Sequence, residues 1–213
     1  MQSRVQNRNL KTGLLGSFIV LNLALLPIQA NAKTIMVVGD SLSAGYGILP
    51  QQGWVQLLQK RLDQQYPKAH KVVNASVSGE TTSGALARLP KLLQTHKPHV
   101  VVIELGGNDG LRGQPPQMMQ KNLAQLIQKS QQAKATVIVF GMKIPPNYGS
   151  AYTKAFENNY RLVSQQYKVK LLPFFLEGVA GHKNLMQNDQ IHPNAKAQPI
   201  LLNNAYPYIK GAL

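Results

Sequence analysis

Val100-Val101-Val102-Ile103-Glu104-Leu105-Gly106-Gly107-Asn108-Asp109 is the stretch that decides the fold. Four β-branched apolar residues in succession, with no apolar/polar alternation, describe a strand buried on both faces rather than one face of an open sheet. Gly-Gly-Asn-Asp then supplies turn chemistry, so the strand ends abruptly. Similar short runs occur at Thr34-Ile35-Met36-Val37-Val38, Lys71-Val72-Val73-Asn74, Thr136 to Phe140 and Lys170-Leu171-Leu172. Between them lie segments of helical period: Trp54 to Tyr66 with Val55, Leu58 and Leu62 on one face, Ser83 to Thr95 kinked or divided by Pro90, Pro115-Pro116 through Ala133 with Leu123, Leu126 and Ile127 in register, and Ala151 to Tyr167. A last helix is expected from Pro193. Doubly buried strands alternating with helices predict a three-layer α/β/α sandwich around a five-stranded parallel sheet, flavodoxin-like in plan.

Upstream of the first strand, Arg4, Arg8 and Lys11 precede an apolar run from Leu14 to Ile28, broken by Gly16, Asn22 and Pro27 and followed by Ala30-Asn31-Ala32. That layout predicts a signal peptide over residues 1–32, cleaved before Lys33, with a single domain over 33–213 and a periplasmic location. No Cys follows the apolar run, which excludes a lipoprotein, and the absence of Cys from the whole chain removes thiol catalysis and Cys-ligated metals. The formal charge of +15 on 213 residues suits contact with polyanions or anionic lipid. The bases are nevertheless spread along the chain without a readable nucleic-acid motif, so no nucleic-acid function is expected.

In an open parallel sheet, ligands bind beyond the carboxyl ends of the strands. Four segments fall there: Gly39-Asp40-Ser41-Leu42-Ser43, Ser76-Val77-Ser78-Gly79, Gly106-Gly107-Asn108-Asp109 and Asp189-Gln190-Ile191-His192-Pro193. Each alone reads as a turn or a helix cap. Together they hold every part of an acyl-transfer site. Ser41 supplies a nucleophile and His192 a base that works near neutral pH. Asp189, three residues before the histidine, can reach back to the second ring nitrogen and set its tautomer. The N–H groups of Ser41 and Gly79 and the side-chain amide of Asn108 would form the oxyanion hole. Asp40 and Asp109 are expected to brace these loops, and His70, His96, His99 and His182 to lie in solvent. Leu42, Leu111, Ile144, Pro145 and Tyr148 are loop-borne candidates for binding the acyl chain. The two long irregular stretches, Gly141 to Ser150 and Phe174 to Gln190, are read as functional loops.

With these blocks in this order, Gly-Asp-Ser-Leu, a lone Gly79, Gly-Gly-Asn-Asp and Asp-x-Ile-His-Pro, the chain resembles the SGNH or GDSL hydrolase superfamily. Longer stretches, Gly39 to Tyr46, Glu104 to Gly113 and Ile191 to Asn194, resemble its thioesterase, arylesterase and lysophospholipase branch. The resemblance implies a metal-independent, cofactor-free serine hydrolase acting on small-molecule acyl esters and thioesters, while the basic charge adds an expectation of peripheral contact with anionic lipid, and a monomer is expected. An α/β-hydrolase is disfavoured because Gly39-x-Ser41-x-Ser43 lacks the second glycine of that fold's nucleophile elbow. Two alternatives stay open at this level. A carbohydrate O-acetyl esterase acting on cell-wall glycans would use the same fold with a small polar acyl pocket, and a non-catalytic lipid- or glycan-binding module would keep the fold without turnover.

Overall fold

The computed structural model describes residues 1–2 and 32–213. The apolar run expected to be a signal peptide lies outside the described residues. Five parallel strands, β1 (Lys33–Gly39), β2 (His70–Asn74), β3 (Val100–Glu104), β4 (Thr136–Phe140) and β5 (Lys170–Leu172), form one sheet in the order β2-β1-β3-β4-β5. That order is the flavodoxin arrangement. Every residue of β3 is buried, as its unbroken apolar run demands.

The helices are α1 (Ser41–Ala44), α2 (Trp54–Gln65), α3 (Thr82–His96), α4 (Gly107–Leu111), α5 (Pro116–Gln132), α6 (Ser150–Gln166) and α7 (Gln198–Lys210). Packing of α3 on α5 and of α5 on α6 covers one face of the sheet, and packing of α2 on α7 covers the other. The three-layer sandwich expected from the strand pattern is therefore present. Leu58 and Leu62 of α2, Leu123, Leu126 and Ile127 of α5, and Phe156 and Val163 of α6 point their apolar stripes inward.

Three expectations need correction. Pro90 does not divide α3: Thr82–His96 is one helix, held on both sides of the proline by buried Ala85, Leu89 and Leu93. The last helix does not begin at Pro193. Pro193 pairs with Met186 in an antiparallel bridge, and the Gln187 N–H donates to the His192 carbonyl at 2.7 Å. This keeps the chain extended there. The cap is Asn194, whose side chain accepts from the Lys196 N–H and opens a 3₁₀ turn (Ala195–Ala197) ahead of α7. Likewise, His70 is buried at 7% exposure rather than solvated, and its Nδ1 accepts the Lys33 N–H at 3.3 Å. Burial, with the nearby Lys33 charge, lowers its pKa.

Adjacency of β1 and β3 positions the chemistry. Gly39, the last residue of β1, is in register with Glu104, the last residue of β3, so the loops that follow leave the sheet side by side. Underneath, the buried Trp54 indole packs against Phe140 and Phe175 with centroids 5.9 and 5.3 Å away. Its Nε1–H donates to Ser43 Oγ at 3.1 Å, and Ser43 Oγ–H donates to Glu104 Oε2 at 2.6 Å. Trp54→Phe keeps most of the apolar volume and removes this donor, and should cost about 1–3 kcal/mol of stability. Urea denaturation checks this, and an unchanged midpoint would show that the indole N–H contributes nothing.

Candidate active site

The backbone of Gly39-Asp40-Ser41 turns from β1 directly into α1. Asp40 caps that helix, its Oδ1 accepting the Leu42 N–H at 3.0 Å. Ser41 is thus the first helical residue, with its side chain at the carboxyl edge of the sheet. After β3, Gly106 adopts φ +112°, and a Cβ there would run into the Tyr160 hydroxyl. Tyr160 Oη–H in turn donates to the Leu105 carbonyl at 2.9 Å. Gly106 and its neighbour start α4 rather than the plain turn expected, and Asn108 becomes its second residue.

The third side chain arrives from far along the chain. His192 Nε2 lies 2.9 Å from Ser41 Oγ, across 151 residues, and His192 Nδ1 lies 2.6 Å from Asp189 Oδ2. The Asp189 carboxylate also accepts the Ile191 and His192 N–H groups, at 2.9 and 3.0 Å through Oδ1. It is consequently held low, at about 2, chiefly by the His192 backbone N–H, with the imidazole and the Ile191 N–H adding to the effect. An acceptor-only carboxylate on Nδ1 leaves the proton on that nitrogen and frees the Nε2 lone pair for the serine hydroxyl. The Tyr46 ring lies against the imidazole, with centroids 4.6 Å apart.

Gly79 lies in the turn between β2 and α3 with φ +76°, a conformation that a side chain resists. Two arginines clasp the turn. Arg112 donates to the Gly79 carbonyl at 3.0 Å, and Arg88 bonds Glu80 at 2.7 Å and the Ala75 carbonyl at 3.1 Å. Among the described residues, no protein acceptor takes the Ser41 or Gly79 N–H. Asn108 Nδ2 donates one hydrogen to Asp40 Oδ2 at 3.1 Å. Asp109, fully buried, accepts the Thr82 N–H at 2.9 Å and the Thr82 hydroxyl at 2.5 Å. It thereby fastens α4 to the start of α3, close behind the Gly79 turn.

Three carboxyl groups form the floor. Burial pushes Asp40 up to about 6, against the Leu42 N–H, the His192 charge and the Asn108 amide, which all lower it. Glu104 lies well above the usual carboxylate range because it is wholly buried and faces Asp40. Its Oε1 has no hydrogen-bond partner, which fits a neutral carboxyl. Among the described residues no cluster of three or more His, Asp or Glu is placed to hold a metal ion.

Ser41, Asn108 and His192 open onto a cavity of about 530 Å³. Leu42, Leu111, Ile144 and Pro145 line it, as do Met142, Phe174, Leu176, Met186 and Ile191, which were not foreseen. These additional walls come from the segments after β4 and β5. Those segments were recognisable as long loops, but their individual apolar residues carried no periodic signal. Tyr148 is not among the lining residues. Its hydroxyl donates to the Leu111 carbonyl at 2.9 Å and its ring stacks on Tyr152, so it supports the wall instead of forming it.

The model of the GDSL-like lipase/acylhydrolase family matches residues 37–199. Esterase TesA of Pseudomonas aeruginosa is 54% identical over 194 residues, which cover 91% of this chain and 96% of that protein. Thioesterase 1/protease 1/lysophospholipase L1 of Escherichia coli K12 is 44% identical over 172 residues, 81% of each chain. Among solved structures, the psychrotrophic esterase EstA from Pseudoalteromonas sp., inhibited by monoethylphosphonate, superposes with a TM-score of 0.81 at 46% identity, covering 84% of this chain and 97% of that one.

Asp189→Asn replaces the acceptor on Nδ1 with an amide that cannot hold the required tautomer, and kcat should fall by about 10⁴-fold. Steady-state kinetics on a short-chain ester, with a circular dichroism check of folding, measures this. A loss below about tenfold would mean that the imidazole is oriented by something other than Asp189.

Proposed function

The chain belongs to the GDSL-like lipase/acylhydrolase family, and we propose that it hydrolyses carboxylic esters and acyl thioesters through an acyl-enzyme on Ser41. The observation that carries this reading is the hydrogen-bond relay from Asp189 through His192 to Ser41 at the edge of an apolar cavity. Its relatives bear the names esterase and thioesterase/lysophospholipase, which supports the same chemistry.

His192 Nε2 takes the Ser41 proton as Oγ attacks the acyl carbonyl, and Asp189 stabilises the imidazolium that results. The tetrahedral oxyanion is met by the Ser41 and Gly79 N–H groups and the second hydrogen of Asn108 Nδ2. His192 then gives its proton to the departing alcohol or thiol. Water deprotonated by the same imidazole releases the acid and restores the enzyme. No step draws on a metal or an organic cofactor.

An acyl chain suits the cavity, whose walls are Leu, Ile, Met, Phe and Pro side chains. A site built for acetyl groups on glycans would be smaller and more polar, so the carbohydrate esterase reading is not favoured. Residues 1–32 support export to the periplasm after cleavage before Lys33. There the mature chain, still strongly basic after Arg4, Arg8 and Lys11 leave with the leader, would meet anionic lipid, and lysophospholipids join short esters as substrates.

Ser41→Ala should retain its fold and lose hydrolysis of both esters and thioesters, and should no longer be labelled by a phosphonate that derivatises the wild-type serine. Residual turnover of more than a few per cent, or loss of wild-type activity on adding a chelator, would refute the mechanism. Octanoyl esters should be cleaved with higher kcat/KM than acetyl esters. The reverse order would return the glycan deacetylase reading.

A further inference from the structure

Asn108 presents a difficulty that its own chemistry does not resolve. A primary amide is nearly the same shape when turned by 180°, but one orientation offers hydrogens to an oxyanion and the other offers an oxygen. Something outside Asn108 has to choose. The group touching its nitrogen is the carboxylate of Asp40, 2% exposed, with Oδ2 3.1 Å from Asn108 Nδ2 and Oδ1 3.0 Å from the Leu42 N–H.

We propose that Asp40 is the positioning residue of the Asn108 amide, its acceptor-only carboxylate holding the nitrogen inward so that the second N–H is left for the cavity that Asn108 and Ser41 share. This inference rests on the reading of Asn108 as an oxyanion donor. Because Asp40 also caps the helix that begins at Ser41, one buried carboxylate sets two donors together: the backbone of the nucleophile's helix through Leu42, and the amide of the neighbouring loop. Asn at position 40 has one oxygen and one NH₂ where the carboxylate has two oxygens. If its oxygen keeps the Leu42 N–H, its NH₂ faces the Asn108 NH₂, and the conflict is relieved by turning Asn108 so that oxygen faces the oxyanion.

Protonated Asp40 gains a hydrogen to donate and loses the same power of selection. Burial lifts Asp40 to about 6, so this occurs within an accessible range. The titratable groups around it are Glu104 from β3, Asp109 from α4, His192 from the loop before α7 and the Tyr160 hydroxyl from α6, the last raised well above its usual value by burial. Protonation of Asp40 should therefore lower kcat on the acid side, in a step shared with the buried Glu104 that faces it.

A double-mutant cycle on the full enzyme tests the proposal. Asn108→Ala should lower kcat by about a hundredfold with KM little changed. Asp40→Asn should lower kcat by about tenfold or more on its own, and by less than about twofold in the Asn108→Ala background, because residues that act as one unit are not additive. The acid limb of Asp40→Asn should also lose the step that belongs to Asp40. Multiplying effects, or an unchanged kcat in Asp40→Asn, would overturn the role of Asp40 while leaving the oxyanion hole intact. An Asn108→Ala enzyme of normal kcat would overturn both readings. Should Asp40→Asn fail to fold, nuclear magnetic resonance on the His192→Ala protein decides the matter. The Asn108 side-chain amide signals should follow the titration of the Asp40 carboxyl, and signals that stay flat while Asp40 titrates would sink the proposal.

Discussion

Three of the eight acidic side chains, Asp40, Glu104 and Asp109, are buried together at the carboxyl ends of β1 and β3, and none of the 23 lysines and arginines forms an ion pair with them among the described residues. Burying a carboxylate without a cation is expensive, and the cost is met either by N–H and O–H donors or by keeping the proton. Asp109 accepts from the Thr82 N–H and hydroxyl, burial lifts Glu104 well above the usual carboxylate range, and Asp40 both accepts from Leu42 and Asn108 and is pushed up to about 6. Donors that satisfy these groups come from the very loops that carry Ser41, Gly79 and Asn108. Satisfying the buried acids and assembling the site are therefore a single geometric requirement.

The relay to His192 is built on the opposite principle. Asp189 has a side chain 38% exposed, and its low pKa comes from hydrogen bonds within a four-residue turn rather than from a buried cation. That turn is anchored by the bridge between Met186 and Pro193 and by the Gln187 side chain, which donates to the Tyr46 carbonyl at 2.8 Å. The same contact brings Tyr46 from the Ser41 side against the imidazole. An outer turn thus registers on an inner floor through one loop-to-loop contact. The apolar cavity opens on that seam, with β4 and β5 loops closing its far side.

Legibility in sequence followed the range of the forces involved. The sheet was readable because a strand buried on both faces leaves an unbroken β-branched run, and Thr136–Phe140 and Lys170–Leu172 were located to the residue. The Asp189-to-His192 pairing was readable because three residues separate the two groups. Pro90 and Pro193 misled for one reason: local rules score the lost N–H and the fixed φ, while packing of Ala85, Leu89 and Leu93 in one case and a β-bridge in the other outweighed them. His70 misled because its partner, the Lys33 N–H, is 37 residues away.

By itself the sequence determined the class of fold, the order of strands and helices along the chain, and the side chains able to perform acyl transfer, since periodicity and residue chemistry are local properties. Tertiary structure alone decided the strand order that sets β1 beside β3, the 151-residue closure from Ser41 to His192, the walls of the cavity from Met142 to Ile191, and the exclusion of Tyr148 from it. It also decided the ionisation of Asp40 and Glu104. A carboxyl group's proton affinity depends on how much water and which donors surround it, and those are known only once distant segments have packed.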